Sequence, residues 1–266
     1  MTKIYTFVNQ KGGVGKTTSA ISLGAYLGYY GQRVLLIDLD PQANATSSLG
    51  IDKRTVKNGT YQVLLGQQPI SPHILHNPRF KLSILPSTPA LAGAEIELID
   101  LSVREKRLAE AIAPACDRYD YILIDCPPSL SLLTINGLLA GRDGVIIPVQ
   151  CEYLALEGLG QLTQTITRVK ASLFPELTIR GVILTMYDGR TRLALDVVNE
   201  VRKFFPDQVF NSLIPRSVRL AESPSYGMPV SIYAPESSAA QAYSNLAREL
   251  LEGDGIHIPK FEIQGG

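Results

Sequence analysis

Residues 9–18 read Asn9-Gln10-Lys11-Gly12-Gly13-Val14-Gly15-Lys16-Thr17-Thr18. Upstream, Lys3–Asn9 turns apolar as a buried strand does. Downstream, Thr17–Gly28 places Ile21, Leu23, Ala25 and Leu27 with helical spacing. A glycine-rich turn (Gln10–Gly15) between a buried strand and a helix N-terminus is suited to phosphate. Glycines let the backbone approach and present its N–H donors, and the helix end adds a favourable dipole. Gly12, Gly13, Val14 and Gly15 form that turn and Thr18 lies in the first helical turn. Lys16 is expected to reach the β- and γ-phosphates of ATP, and the Thr17 hydroxyl to ligate Mg²⁺. The ordinary pattern GxxxxGK[ST] calls for glycine at position 10. Gln10 stands there and a second lysine, Lys11, follows, so this is a deviant P-loop.

Two further stretches end in acids. Val34–Asp38 reads VLLID and Tyr121–Asp125 reads YILID. Short continuous apolar runs of this kind are parallel strands covered on both faces. Ligands of such sheets bind beyond the carboxyl ends of the strands, which places Asp38, Asp40 and Asp125 beside the loop. One acid is expected to support Mg²⁺ through its waters, and another to orient the attacking water.

The rest of the chain continues the alternation. Strands are expected at Lys81–Leu85, Gly144–Val149, Gly181–Thr185 and, shortest, Gln208–Phe210. Helices are expected at Glu95–Ala113, Leu130–Ala140, Leu156–Phe174, Leu193–Phe204 and Ser237–Leu251. Strands alternating with helices predict an α/β fold, a mainly parallel twisted sheet with helices on both faces. With no internal repeat or low-complexity linker, residues 1–252 read as a single P-loop ATPase domain and 253–266 as an extended C-terminal tail.

Composition narrows the class. The 266 residues are 45% apolar and 19% charged, ordinary for a soluble globular protein. No run is long and apolar enough for a membrane span, and the N-terminus lacks the parts of a signal peptide. Three cysteines (Cys116, Cys126, Cys151) without a CxxC pair argue for a reducing cytoplasm rather than a disulfide framework. His73 and His76 have no Cys or acidic ligands beside them in sequence. Net charge is zero, but Gln161–Leu220 holds nine Lys/Arg against five Asp/Glu, a local excess of four. Those cations form a basic patch if folding puts them on one face.

Lys11 has no task on its own nucleotide that Lys16 does not fill. Aimed at the phosphates of a facing subunit it would act as an arginine finger does, worth about 10³–10⁵ in rate, or roughly 4–7 kcal/mol of barrier.

These residues resemble the ParA/Soj-type chromosome and plasmid partition ATPases. The matching segments are NQKGGVGKTT (9–18), LLIDLDPQANAT (35–46), LAGAEIEL (91–98), IDCPPSL (124–130), PVQCEYLALEGL (148–159), TMYDGRT (185–191) and IPRSVRLAESPSYG (214–227). The resemblance implies a homodimer with two ATP molecules sandwiched at its interface. It gives Lys11 as the lysine that crosses to the opposite nucleotide, Asp40 as the residue that sets up the hydrolytic water, and Asp125 as the Mg²⁺-supporting acid. Pro215 lies where the family packs a loop on adenine. Ser217 stands where Asn is common, so one base contact is lengthened or lost. The resemblance further implies non-specific double-stranded DNA binding through Arg190 and Arg219, stimulation by a ParB/Spo0J-like partner, and a cytoplasmic, nucleoid-associated protein. Because the chain opens on the P-loop strand, the helix-turn-helix extension of the larger plasmid forms is not expected.

Three relatives of the same loop compete. A Min-type membrane ATPase needs a basic amphipathic C-terminal helix. Here the end, GDGIHIPKF at 253–261, carries glycines, Pro259 and one lysine, so no membrane partner is expected. An iron–sulfur ATPase needs two cysteines bridging subunits. Cys126 and Cys151 could be offered, though both read better as buried small residues. A positioning ATPase for another cargo, a microcompartment or receptor cluster, would use the same engine.

Overall fold

The structure is a computed structural model and describes residues 1–152 and 155–258. Its centre is a seven-stranded sheet. In chain order the strands are β1 (Lys3–Phe7), β2 (Val34–Asp38), β3 (Leu75–Asn77), β4 (Leu82–Leu85), β5 (Tyr121–Asp125), β6 (Gly144–Gln150) and β7 (Ile179–Thr185), laid out as β3-β4-β2-β5-β1-β6-β7. Every pairing is parallel except β3 with β4.

The VLLID run shows why no alternation is visible in the sequence. Val34 and Leu36 enter the core on one face, against Leu23 and Leu27 of α1 (Lys16–Tyr29) and Leu246 and Leu250 of α11 (Ser238–Gly253). Leu35 and Ile37 enter the core on the other face, with Leu91, Leu108 and Leu133. These belong to α4 (Leu91–Glu97), α5 (Arg107–Ile112) and α6 (Leu132–Ala140). A third cluster joins β6 and β7 to α7 (Ala155–Ser172) and α8 (Arg192–Phe204). Every residue of VLLID and of YILID is buried. At about 25 cal/mol per Å² of apolar surface, this double-sided burial is the main favourable contribution of the sheet.

Four expectations change. The single helix over Glu95–Ala113 is broken: α4 ends at Glu97, one 3₁₀ turn follows, and α5 restarts at Arg107. Val103 in the gap has φ +53°, a left-handed conformation that a β-branched residue adopts only where the chain must turn. Gln208–Phe210 is not a strand but an isolated bridge, Val209 opposite Val182. The antiparallel edge β3 is additional. So are short helices: α2 (Asn44–Ser48), α3 (Thr60–Leu64), and, in the Pro- and Ser-rich stretch, α9 (Val218–Glu222) and α10 (Val230–Tyr233).

Of the tail 253–266, Gly253 closes α11, and Ile256 and Ile258 pack on the α1/α11 core. The Asp254 side chain is buried, 3% exposed. It accepts hydrogen bonds from Tyr5 (2.7 Å), Tyr121 (2.9 Å) and Arg180 (3.1 Å). Residues 259–266, including Pro259, Lys260 and Phe261, lie outside the described residues. Among the described residues no helix is long and apolar enough to cross a membrane.

Candidate active site

Register assembles the site. Parallel pairing sets Asp38 of β2 directly opposite Asp125 of β5, and Asp125 opposite Phe7 of β1, from which the glycine loop departs. Neighbouring strands lie about 4.8 Å apart, so two carboxylates and the loop form one row at the carboxyl edge of the sheet.

The loop is braced from three sides. Asn9 donates its amide to Pro148 O (2.8 Å) and accepts from Lys11 N (3.0 Å). Thr185, the last residue of β7, donates to Val14 O at 2.8 Å. Gly15 caps α1 with φ +89°, a left-handed turn that glycine adopts without strain. A Cβ added at Gly12 or Gly13 would meet nothing within 4 Å, so the loop faces open space. Asn9 and Thr185 were missed in the sequence, since their partners lie 139 and 171 residues away.

Lys16 is buried (7% exposed) and donates to Lys11 O at 3.2 Å. Burial pushes its ammonium down, while Asp125 and Asp40 pull it back. The Lys11 side chain is half-buried and makes no salt bridge with a described residue.

The acids differ in how they are satisfied. Asp38 accepts from Thr46 N (2.8 Å), Thr46 Oγ1 (2.6 Å) and Asp40 N (3.2 Å). Burial nevertheless pushes it up to about 6. Asp40 accepts from Gln42 N at 2.8 Å and is 5% exposed. Asp125 is fully buried, and neither of its carboxylate oxygens has a hydrogen-bond partner. The Thr17 hydroxyl and Lys16 favour its charged form without completing a bond. Burial, and then Asp38, outweigh them and push Asp125 up to about 8. Orphaned buried oxygens cost about 1–3 kcal/mol or more each and are the observation that fits a hydrated divalent cation beside Thr17. Among the described residues no cluster of three or more His, Cys, Asp or Glu could hold a metal directly. That suits one direct hydroxyl with carboxylates acting through water.

Pro215 and Ser217 line a cavity of about 280 Å³ with Gly15, Thr18, Met186 and Leu220. Its mostly apolar walls at the N-terminus of α1 suit a flat heteroaromatic ring. Ser217 Oγ accepts from Arg219 N (3.2 Å) and so caps α9.

Arg190 lies in the turn after β7 and Arg219 in α9, on two segments joined by the Tyr187–Pro215 bridge. Both are exposed, and each is paired with a nearby acid, Arg190 with Asp188 at 2.7 Å and Arg219 with Glu222 at 2.9 Å. The nine cations of 161–220 do not share a face. Arg180, second residue of β7, is tied to Asp254, whereas Arg190 lies beyond the other end of that strand.

A family model described as an AAA domain matches residues 2–179. The chain is 52% identical over 250 residues to the sporulation initiation inhibitor protein Soj of Bacillus subtilis, covering 94% of this chain and 98% of that protein. The chain belongs to the ParA/Soj family of partition ATPases. It is 49% identical over 262 residues to the chromosome partitioning protein ParA of Myxococcus xanthus, covering 98% of this chain and 92% of that one. A crystal structure of cobyrinic acid a,c-diamide synthase from Mycobacterium smegmatis with bound ATP analogue and magnesium superposes with TM-score 0.84 at 38% identity. It covers 98% of this chain and 100% of that one. Cys126 and Cys151 lie in separate apolar clusters, and burial raises both thiols, Cys151 to about 12.

Proposed function

We propose that this chain is a DNA-partitioning ATPase whose ATP-bound homodimer grips double-stranded DNA without sequence preference and releases it on hydrolysis stimulated by a ParB/Spo0J-like partner. The observation that carries the ATP half is Asp125, buried with two unpartnered oxygens beside Thr17 and Lys16. In this scheme the N–H groups of Gly12–Thr18 cradle the phosphates and Lys16 neutralises the β- and γ-phosphates. Pro215 and Ser217 flank adenine. Thr17 holds Mg²⁺ directly, and Asp38 and Asp125 hold it through water. The bound ion would supply neutralisation of the charge that develops on the transferring phosphoryl group. Asp40 orients the attacking water, and Lys11 reaches the nucleotide of the opposite subunit. Its lack of a salt bridge within the described residues supports that role.

Arg190 and Arg219, on segments joined by the Tyr187–Pro215 bridge, would neutralise DNA phosphates, trading their present acids for the polyanion. Such a protein is cytoplasmic and nucleoid-associated, with no membrane partner. The test is a gel shift with non-specific duplex at increasing salt, with and without ATP. The parent binds about tenfold more tightly with ATP and loses affinity steeply with salt, and Arg219→Ala loses binding while keeping ATP affinity. Unchanged DNA affinity in Arg219→Ala at low salt removes Arg219 from the interface.

A further inference from the structure

The helix that carries Arg219 is held from two sides, and both lead back to the nucleotide site. On one side, Leu220 and Ala221 of α9 form a wall of the same 280 Å³ cavity as Gly15, Thr18 and Pro215. On the other, the 3₁₀ turn Ser223–Tyr226 that continues α9 packs on α2. There two backbones cross. Gly50 has φ +78° and Gly227 φ +64°, conformations that ordinary L side chains rarely adopt. A Cβ at Gly227 would stand 2.6 Å from Gly50 Cα, and one at Gly50 would stand 3.3 Å from Gly227 O. Close-packed contacts without an intervening side chain transmit displacement rather than absorb it.

From Gly50 the chain runs back to the acids through short bonds. Gly50 N donates to Ser47 O (3.0 Å) and Ile51 N to Thr46 O (3.3 Å). Thr46, fully buried, gives both its N–H and its hydroxyl to Asp38 Oδ2. The Thr46 hydroxyl also accepts from Ser87 N at 2.9 Å, and Ser87 Oγ donates to Asp40 O at 2.8 Å. Asp38, Asp40, Thr46 and Gly50 are thus one braced unit whose far end is the Gly227 crossing.

We propose that α9 and its following turn are the element through which this chain couples nucleotide to DNA grip. The base acts on it through Leu220 and Ala221. The phosphate-side acids act on it through Asp38, Thr46 and the Gly50–Gly227 crossing. Arg219 reaches its DNA-binding position when both are engaged. This coupling rests on the DNA-binding role proposed above for Arg219.

The test uses the full chain and two variants. Gly227→Ala pushes the crossing apart. Gly50→Asn does the same with a residue that tolerates the left-handed conformation. Hydrogen exchange over 218–228 is measured with and without a non-hydrolysable ATP analogue and Mg²⁺, alongside duplex affinity and analogue affinity. In the parent, nucleotide slows exchange over 218–228 severalfold and raises duplex affinity about tenfold. In a folded variant analogue affinity stays within about threefold, whereas the exchange and duplex responses fall below about twofold. A parent whose 218–228 exchange ignores nucleotide overturns the proposal, as does either variant keeping the parent's full response. A parent that shows the exchange response but no duplex binding leaves the coupling standing and removes the DNA role of Arg219.

Discussion

Replacing Asp125 by asparagine is expected to stabilise the nucleotide-free protein while abolishing the stability it gains from Mg–ATP. The carboxylate is fully buried, lacks hydrogen-bond partners and lies in register beside Asp38. Burial first, and Asp38 next, raise it from 3.8 to about 8. At 1.36 kcal/mol per pH unit, that rise penalises the ionised form by roughly 6 kcal/mol. Asp38 and Lys16 share the same field, so removing one carboxylate returns about half, ~3 kcal/mol. At roughly 2–4 °C per kcal/mol for a chain of this size, the melting temperature rises by about 6–12 °C. The sign follows from proton binding. The folded state holds this proton more tightly than the unfolded state, so the parent's stability is full below 3.8 and is lost as pH rises through about 8. The Asp125→Asn variant lacks this contribution and keeps only the shallower slope of Asp38, so the gap between variant and parent widens from acid to alkaline pH. Calorimetry of both nucleotide-free proteins at several pH values reads it directly. A variant no more stable than the parent at any pH, or parallel pH dependences, would refute the electrostatic account of the row.

Two more outcomes are expected. Asp40→Ala binds ATP and accumulates as a dimer without turning over; normal hydrolysis in that variant would remove Asp40 from the water-positioning role. Asp254→Ala leaves Arg180 and the phenols of Tyr5 and Tyr121 without their shared acceptor. Breaking a buried pair costs about 3–5 kcal/mol, which lowers the melting temperature by roughly 6–20 °C with nucleotide affinity unchanged. An unaltered melting temperature would show that the segment after α11 is not held by this pair.

The parallel core of the fold was legible because VLLID and YILID are buried on both faces and leave no other reading. β3 was not, since Leu-His-Asn is three residues long, exposed at the edge and without alternation. The helix expected over 95–113 had the right composition, and tertiary packing of α5 on α6 overrode it. Leu108 N takes its acceptor from Asn136, a contact no local pattern encodes. In the site, loop and acids were legible because their residue types are dictated by phosphate and metal. The bracing groups Thr46, Ser87 and Thr185 were not. Each is an ordinary small hydroxyl whose meaning depends on a partner 8, 41 or 171 residues away. The local charge excess was real but misleading as a patch, because strand direction sends Arg180 and Arg190 to opposite ends of β7.

In the proposed function Lys11 completes a site in a second subunit, and the mass of the complex in solution tests that most directly. With Mg²⁺ and ATP in an Asp40→Ala background, light scattering after size exclusion should show twice the monomer mass. Adding Lys11→Ala should return the protein to monomer while nucleotide affinity persists. A Lys11→Ala protein that still dimerises with ATP and, with Asp40 restored, hydrolyses it at the parent's rate would contradict the claim.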